Sequence, residues 1–311
     1  MGEWIDGIAV AKDIQAEAET EVRKLAEKGC RPGLAVILVG ENPASQVYVR
    51  SKVKTCQALG MYSEKIEMAV SSSTEEVLAA VNGLNRRDDI HGILVQMPLP
   101  PQVDAKAVIN AVRPDKDVDG FHPINVGKLV EGTAVLKPCT PAGIMEMLKR
   151  RKVAIAGSRA VVIGRSDIVG KPISMMLMHA HATVTICHSK TRDLPGVARE
   201  GDILVAAMGR PVFVDDTFVK PGATVIDVGV NRMDSLDQIH AVFGEDPARL
   251  ADYGKKGYTL VGDVHPGKVF PKCALLTPVP GGVGPLTIAM LMTNTVKAAA
   301  ALLGLPVPVF G

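Results

Sequence analysis

The chain has 311 residues, of which 47% are hydrophobic, 22% charged and 4% aromatic. This composition is typical of a soluble globular protein of about two domains, and it excludes a disordered or collagen-like chain. Lysine plus arginine number 35 against 33 aspartate plus glutamate, a formal net charge of +2, and the sequence holds no basic block. We therefore expect no nucleic-acid partner.

The cysteines and the N-terminal residues indicate a cytoplasmic protein. The five cysteines are odd in number, widely spaced and without a C-x-x-C pair, a pattern that favours a reducing compartment. The opening MGEWIDGIAV has neither a long apolar run nor the arginines of a transit signal. Residues 273–296 are uncharged, but prolines and glycines crowd the first half. We expect a loop and a buried helix there, and no membrane partner.

Apolar runs of strand length alternate with segments of helical period, which predicts an α/β fold with parallel sheets. The first series comprises helix 9–28, strand 34–39, helix 43–59, strand 65–70, helix 74–84, strand 92–96 and helix 104–112. The second comprises a connecting helix at 138–150, strand 160–163, helix 170–179, strands 183–187, 203–206 and 224–228, and a long apolar helix at 286–303. We place a domain boundary at the connecting helix and expect the tail to be a surface arm.

The helix at 43–59 carries a polar stripe. At about 100° per residue, Ser45, Tyr48 and Lys52 fall in one narrow sector, on the same side as Val49 and Cys56. Lys52 is thus the lysine of this helix that faces apolar surroundings. Burial disfavours an ammonium ion, so a lysine placed in this way can act as a base near neutral pH. The alternative is that Lys52 reaches solvent at the helix edge and Tyr48 only packs.

Two other polar residues are candidates. Gln96 closes an apolar strand before MPLPP, and ligands of α/β sheets bind outside the carboxyl ends of strands. The alternative is a solvated strand end. The acidic run at 115–120 lacks the glycine and distal glutamate of an EF-hand, so we predict no metal there and keep Asp119 as a hydrogen-bonding candidate. His179 and His181 form an H-x-H with no partner nearby in sequence, and we predict no metal site.

Residues 160–172, AVVIGRSDIVGKP, predict a strand, a glycine-bearing turn and a helix start, where nucleotide phosphates bind. The turn is not a P-loop, because five residues separate Gly164 from Gly170 and a proline follows Lys171. The next strand ends in HSKTR, with no acid to hold ribose hydroxyls. Basic and hydroxyl groups there favour a 2′-phosphate and hence NADP.

The segment PGGVGPLT at 280–287 precedes the last helix. Its glycines permit the backbone to approach a ligand closely, or they simply make a flexible connection. The sequence contains neither a G-x-S-x-G elbow nor an H-E-x-x-H pair, so the common hydrolase signatures are missing.

Several motifs together resemble the bifunctional methylenetetrahydrofolate dehydrogenase/cyclohydrolase family. They are VGENPASQVYVRSKVKTC, GILVQMPLP, PDKDVDGFHP, PCTPAGI, GRSDIVGKP, CHSKT and PVPGGVGPLT, in the family's order. The likeness runs from the first helix to about Gly304. It implies a catalytic folate-binding domain at 1–138, completed by the returning last helix at 286–304, and a Rossmann-like NADP-binding domain at 139–285. No formyl-ligase domain follows, so we expect the short bacterial or organellar form, as a homodimer joined through the cofactor domain.

The resemblance implies two reactions in one cleft between the domains. NADP⁺ oxidises 5,10-methylenetetrahydrofolate, and the methenyl product is hydrolysed to 10-formyltetrahydrofolate for one-carbon metabolism and purine biosynthesis. The implied roles are Lys52 as the acid/base group, Gln96 and Ser45 as its supports, Tyr48 stacked on the folate and Asp119 at the pterin's amino edge. The implied cofactor-binding residues are Gly164, Arg165, Ser166, His188, Ser189, Pro280, Gly281, Gly282 and Val283, with Arg165 and Ser189 at the 2′-phosphate.

Three rival interpretations remain open. A short-chain dehydrogenase also uses Ser, Tyr and Lys, but here the Y-x-x-x-K precedes the nucleotide-binding turn and Ser45 is too near Tyr48. A monofunctional dehydrogenase conflicts with the presence of both Lys52 and Gln96. A folate- or nucleotide-binding regulatory module could share the scaffold, because fold does not dictate function.

Overall fold

The computed structural model describes residues 2–310. Its strands are β1 (Glu3–Trp4), β2 (Gly33–Val39), β3 (Tyr62–Met68), β4 (Gly92–Val95), β5 (Arg159–Ile163), β6 (Thr183–Cys187), β7 (Ile203–Ala206), β8 (Thr224–Asp227), β9 (Asn231–Met233), β10 (Thr259–Val261) and β11 (Leu275–Leu276). Its α-helices are α1 (Gly7–Glu27), α2 (Pro43–Ala58), α3 (Thr74–Asn85), α4 (Ala105–Ala111), α5 (Pro123–Glu131), α6 (Cys139–Arg150), α7 (Gly170–His179), α8 (Leu194–Ala198), α9 (Leu236–Phe243), α10 (Pro247–Lys256), α11 (Pro266–Val269) and α12 (Val283–Leu302).

The α/β class and the elements predicted from periodicity are confirmed, each with its ends within three residues of the prediction. The largest shifts are at β3, which starts at Tyr62 rather than at 65, and at α12, which starts at Val283 rather than at 286. β3 lies at the edge of its sheet and is only partly buried, so polar residues interrupt the apolar signal that marks a central strand.

The chain divides into two compact units. We call residues 11–142 and 287 onward the Lys52 unit, and residues up to Val10 together with 143–286 the Gly164 unit. Most of α12 therefore belongs to the Lys52 unit, which confirms the predicted return of the last helix. The predicted domain limits at 138/139 and 285/286 stay a prediction.

In the Lys52 unit, a parallel sheet has the order β3-β2-β4. Every residue of β2 is buried, and β2 and β4 share a core with α3 and α4. The last helix is tied in by Asn294, whose amide nitrogen donates to the carbonyls of Val118 and Lys137, at 2.8 Å each. This buried amide ties α12 to the acidic run and to the chain before α6.

In the Gly164 unit, a parallel sheet has the order β1-β11-β8-β7-β5-β6. β9 and β10 form a separate antiparallel pair. A core of residues from β5, β7 and β8 is completed by Phe218, Val264 and Leu276. Because the strands run in one direction, their carboxyl ends lie along one edge, where α/β sheets bind ligands.

Several elements were not predicted, for two different reasons. α5 carries ordinary signals: His122 Nδ1 accepts from the Ile124 N–H at 3.1 Å, Pro123 opens the helix, and Gly132 ends it at φ +80°. Those capping signals could have been recognised. β1 has only two residues, and its pairing with β11 makes it a strand, which no local pattern announces.

The C-terminal helix and tail correct one expectation. α12 is long and apolar enough by composition to cross a membrane, but 67% of that apolar window is buried inside the protein. The tail is a surface arm only in part. Val309 is 89% exposed, whereas Phe310 is buried with the Lys297 ammonium 5.5 Å from its ring centre. An aromatic ring with apolar surface and a cation within reach gains by packing back.

Candidate active site

Ser45 and Lys52 of the polar stripe lie on the buried face of α2, as predicted. Asn42 Oδ1 accepts from the Ser45 N–H at 3.1 Å in the first turn. Ser45 and Lys52 are buried, with 4% and 8% exposure, while Tyr48 is 43% exposed. Lys54, on the opposite face, is exposed. The helix therefore turns one lysine inward and leaves the tyrosine ring open beside it.

Gln96 is the partner of Lys52. Lys52 Nζ donates to Gln96 Oε1 at 3.0 Å, and Gln96 Nε2 donates to the Met97 carbonyl at 2.7 Å. The second bond fixes the orientation of the amide, so its oxygen faces the lysine. Gln96, which follows β4, thus holds the amine of Lys52. It is not merely a solvated residue at a strand end, which was the alternative.

Sheet register brings Asp119 to the same place. Asp117 forms an isolated parallel bridge with Ile93 of β4. Asp119 follows two residues later, and it lies close enough to Lys52 for the ammonium to act on its pKa. The acidic run thus delivers its last carboxylate to the neighbourhood of Lys52.

The electrostatics of Asp119 reflect two opposing influences. Burial raises the pKa of Asp119 to about 6, and the nearby ammonium of Lys52 opposes that rise. Asp117 adds a smaller effect in the same direction as burial. Burial also raises the pKa of the neighbouring Cys139 thiol well above its ordinary value. Asp119 therefore changes charge near neutrality, next to a fixed amine.

The rest of the acidic run is engaged in holding the loop. Asp117 Oδ2 accepts from the His122 N–H and from Asn125 Nδ2, both at 2.8 Å. Asp115 pairs with Arg113. Within residues 2–310, no group of three His, Cys, Asp or Glu side chains is arranged to hold a metal ion.

Lys116 is a supporting residue that sequence reasoning missed. Its side chain is buried, and Nζ donates to the carbonyls of Leu84 and Asn85 at the end of α3, at 3.4 and 3.1 Å. Its own carbonyl accepts from the Ile93 N–H at 2.8 Å. A lysine inside an acidic run gives no sequence signal for burial, because its partners are carbonyls distant in the chain.

The glycines of the predicted nucleotide-binding turn, Gly164 and Gly170, allow close packing. Gly164 has φ +130°, and a Cβ there would lie 2.1 Å from the Ala207 carbonyl oxygen. A Cβ on Gly170 would lie 2.2 Å from the Gly164 oxygen. The end of β5, the start of α7 and the chain after β7 therefore meet at distances that only glycine permits.

The polar groups around this turn are open to solvent. Ser166 Oγ accepts from the N–H groups of Val169 and Gly170, at 3.2 and 3.3 Å, where α7 begins. Arg165 and Ser189 are exposed. His188 is half-buried, and its Nδ1 accepts from the Lys190 N–H at 3.1 Å after β6. Two strand ends thus present basic and hydroxyl groups at the same sheet edge.

The loop at 280–283 follows β11 and reaches that edge as well. Gly281 has φ +100°, and a Cβ on Gly7 would lie 1.8 Å from the Gly282 oxygen. Arg249 donates to the Val279 carbonyl. Pro280 is exposed, whereas Gly282 and Val283 are buried. These contacts hold the loop in place, in contrast to the flexible connection that was the alternative.

Comparison with known proteins names the family of this fold and these sites. A family model described as the catalytic domain of tetrahydrofolate dehydrogenase/cyclohydrolase matches residues 5–119, and its NAD(P)-binding domain matches residues 138–302. The chain belongs to the tetrahydrofolate dehydrogenase/cyclohydrolase family. The family resemblance proposed from the motifs is therefore confirmed.

Relatives extend this match over nearly the whole chain. The chain is 57% identical over 299 residues to a bifunctional FolD protein of Solibacter usitatus, covering 96% of this chain and 98% of that protein. The bifunctional FolD structure from Campylobacter jejuni is 42% identical with a TM-score of 0.88, covering 97% and 99% of the two chains. The Trypanosoma brucei FolD structure, complexed with NADP and an inhibitor, is 40% identical with a TM-score of 0.86, covering 96% and 98%.

Proposed function

We propose that the protein oxidises 5,10-methylenetetrahydrofolate with NADP⁺ and hydrolyses the methenyl product to 10-formyltetrahydrofolate. The observation that carries this proposal is the buried Lys52, held at 3.0 Å by Gln96 and facing the titrating Asp119. A dehydrogenase alone needs no such amine, because hydride transfer moves no proton. The relatives named as bifunctional support both activities.

In the hydrolytic step, water adds to the methenyl carbon, the ring opens and the formyl group stays on N10. Lys52 takes a proton from the attacking water and returns one to the departing ring nitrogen. The balance is one proton released for each cation hydrolysed. Gln96 holds the amine in one orientation through its 3.0 Å hydrogen bond, and Ser45 supports the same side of α2.

Substrate binding falls to the neighbouring side chains. The exposed ring of Tyr48 offers a flat face for the folate ring system. Asp119 binds the amino edge of the pterin, whose N–H groups pair best with an ionised carboxylate. Both residues lie within reach of Lys52 in the same unit, so binding and proton transfer share one surface.

The residues at the carboxyl edge of the Gly164 unit fit a dinucleotide. The glycine turn brings backbone close to a ligand, the start of α7 favours an anion, and Arg165 adds a positive charge. A cofactor held there would supply the acceptor for the hydride of the methylene carbon. We assign Gly164, Ser166 and His188 to the pyrophosphate and ribose, and Pro280, Gly281, Gly282 and Val283 to a fixed loop that contacts the cofactor.

Cofactor choice is assigned to two exposed residues. Arg165 and Ser189 follow β5 and β6, which are neighbours in the sheet. A guanidinium and a hydroxyl suit a phosphate monoester. A carboxylate in place of Ser189 would favour NAD⁺ instead.

We also propose a homodimer joined through the Gly164 unit. Among the strands of residues 2–310, β6 lies at the edge of its sheet and pairs with β5 only. It carries Ile186, which is 37% exposed, and Met178 on the preceding helix is 45% exposed. An exposed apolar sheet edge is a ready surface for self-association. Ile186→Glu should then give a monomer in sedimentation velocity, whereas the tail variant Val309→Glu should leave the dimer intact.

The cellular setting follows from the same reasoning. Each of the five cysteines has a free, buried thiol, which suits a reducing cytoplasm. The balanced charge of the chain, 35 basic against 33 acidic residues, supports an absence of nucleic-acid partners. The formyl product serves one-carbon metabolism, including purine biosynthesis.

The deciding experiment is an absorbance assay of the purified protein at neutral pH with 5,10-methylenetetrahydrofolate and either NADP⁺ or NAD⁺. Methenyl product is measured before any acid is added, because acid converts 10-formyltetrahydrofolate back to the methenyl form. We expect rapid NADP⁺ reduction with far less methenyl product than a dehydrogenase lacking the hydrolase would leave. Reduction with methenyl accumulation would leave a dehydrogenase alone. No reduction with either cofactor would indicate a cyclohydrolase alone or a binding module.

A further inference from the structure

A pair of buried aspartates lies next to the cofactor edge, and the functional assignments above do not use them. Asp263 is 0% exposed and Asp227, at the end of β8, is 3% exposed. Buried carboxylates are tolerated only when their oxygens are fully hydrogen-bonded. Their partners therefore indicate what they are for.

Asp263 holds the backbone of one short loop. Its Oδ2 accepts from the N–H groups of Met208 and Gly209 at 2.7 and 3.0 Å, and its Oδ1 accepts from the Arg210 N–H at 2.8 Å. A fourth donor is Asn231 Nδ2 at 2.9 Å. Three consecutive amides of loop 208–210 thus converge on one carboxylate. The loop resembles an anion-binding turn in which the bound anion is a side chain of the same protein.

Asp227 in turn fixes the position of Asp263. Its Oδ1 accepts from the Asp263 N–H at 2.8 Å, and its Oδ2 accepts from the Val264 N–H at 2.9 Å. The packing leaves no room for larger residues, because a Cβ on Gly262 would lie 1.7 Å from Asp227 Oδ2. A Cβ on Gly229 would lie 2.3 Å from Asp263 Oδ1. The arrangement is therefore specified in detail.

Loop 208–210 directly adjoins the cofactor turn. It follows β7, whose neighbours in the sheet are β5 and β8. The Ala207 N–H donates to the Ile163 carbonyl at 2.8 Å, and the Ala207 oxygen touches Gly164. β6 lies on the other side of β5, and the proposed 2′-phosphate contact Ser189 follows that strand. A dinucleotide that crosses the turn after β5 must lay its second half over the chain after β7.

We infer that Asp263 is a positioning residue for the half of the cofactor that lacks the 2′-phosphate. It acts through the backbone of loop 208–210, which its carboxylate keeps in the conformation that receives the nicotinamide half. The inference rests on the proposed use of NADP⁺. It predicts that loss of the Asp263 carboxylate weakens binding of the whole dinucleotide. Binding of a ligand that contains only the 2′-phosphate half, and so does not reach loop 208–210, should be unchanged.

The test compares two ligands by isothermal titration calorimetry: NADP⁺ and adenosine 2′,5′-bisphosphate, which contains only the 2′-phosphate half. In Asp263→Asn, an amide NH₂ replaces an accepting oxygen and faces backbone donors. The Kd for NADP⁺ should rise by about tenfold or more. The Kd for the bisphosphate should change by less than about twofold. Amide hydrogen exchange should accelerate at residues 208–210.

A matched glycine pair covers the case in which Asp263→Asn does not fold. Gly209 and Gly222 both have left-handed backbone, φ +67° and +80°, with open space around the missing Cβ. Gly209 lies in the loop, whereas Gly222 precedes β8 at the opposite edge of the sheet. Gly209→Ala should reproduce the selective loss of NADP⁺ binding, and Gly222→Ala should not.

Each other outcome has a distinct meaning. Equal weakening of both ligands, unchanged NADP⁺ binding in Asp263→Asn, or the same selective loss in Gly222→Ala as in Gly209→Ala would overturn the inference. Failure of the wild-type protein to bind NADP⁺ would instead overturn the proposed function.

Discussion

The two candidate sites are built on different principles. In the Lys52 unit, side chains bond to side chains: Lys52 to Gln96, with Asp119 facing the amine. In the Gly164 unit, the site is mainly backbone, shaped by glycines and by a carboxylate that holds three amides. We expect the first site to lose chemistry without losing its shape when a side chain changes. The second should lose its shape first.

The largest expected effect is that of Lys52→Met. Removing the proton carrier should slow methenyltetrahydrofolate hydrolysis by about 10²- to 10⁴-fold. Because the cofactor edge is unchanged, the Kd for NADP⁺ should stay as in the wild type. Stopped-flow absorbance of the methenyl band measures the hydrolysis rate. Lys54→Met, on the exposed face of α2, is the control, and full hydrolytic activity in Lys52→Met would refute the role of this residue.

Gly164→Ala makes the corresponding test in the Gly164 unit, where the site consists mainly of backbone. The new Cβ would lie 2.1 Å from the Ala207 oxygen, so the turn must open. We expect a loss of about 2 to 4 kcal/mol in the free energy of unfolding, together with weak NADP⁺ binding. Gly157→Ala, at φ +77° in open space, should cost about 1 kcal/mol. Urea denaturation of both variants makes the comparison, and equal losses would contradict it.

Arg165→Ala tests whether any side chain matters at the second site. Only NADP⁺ offers a 2′-phosphate to a guanidinium, so its KM should rise by about tenfold or more while the KM for NAD⁺ changes little. Steady-state kinetics with both cofactors give the ratio. Equal changes for the two cofactors would move the phosphate contact to another residue.

The last expected effect is on stability alone, as a pH dependence set by Asp119. Its pKa is raised to about 6 by burial, so the folded state holds the proton more tightly than the unfolded chain. The resulting stability is fully present below about pH 4, the ordinary value, and is lost as pH rises through about 6. Between pH 4 and 7 the wild type should therefore lose about 2 kcal/mol relative to Asp119→Asn, which does not titrate.

Urea denaturation across that pH range measures the difference. In a Lys52→Met background, the loss should occur at higher pH, because the ammonium that opposes the rise in the pKa of Asp119 is gone. Parallel stability curves for wild type and Asp119→Asn would show that Asp119 does not titrate in this range.

The sequence predicted part of the Lys52 site but not the contact at its centre. Helical periodicity placed Lys52 and Ser45 on the buried side of α2, because the geometry of one helix is local. The bond between Lys52 and Gln96 joins residues 44 positions apart, and no single segment predicts it. The roles of the individual side chains stay predictions until they are measured.

The sequence by itself determined the α/β class, the order of the main helices and strands, and the inward face of α2. These depend on hydrophobic period and on capping, which act over a few residues. The family motifs added the two activities. Only the tertiary structure decided that β1 is a strand, that Asp119 lies near Lys52, and that Asp263 holds loop 208–210. Each of these depends on partners far away in the chain, whose approach is set by sheet register and close packing.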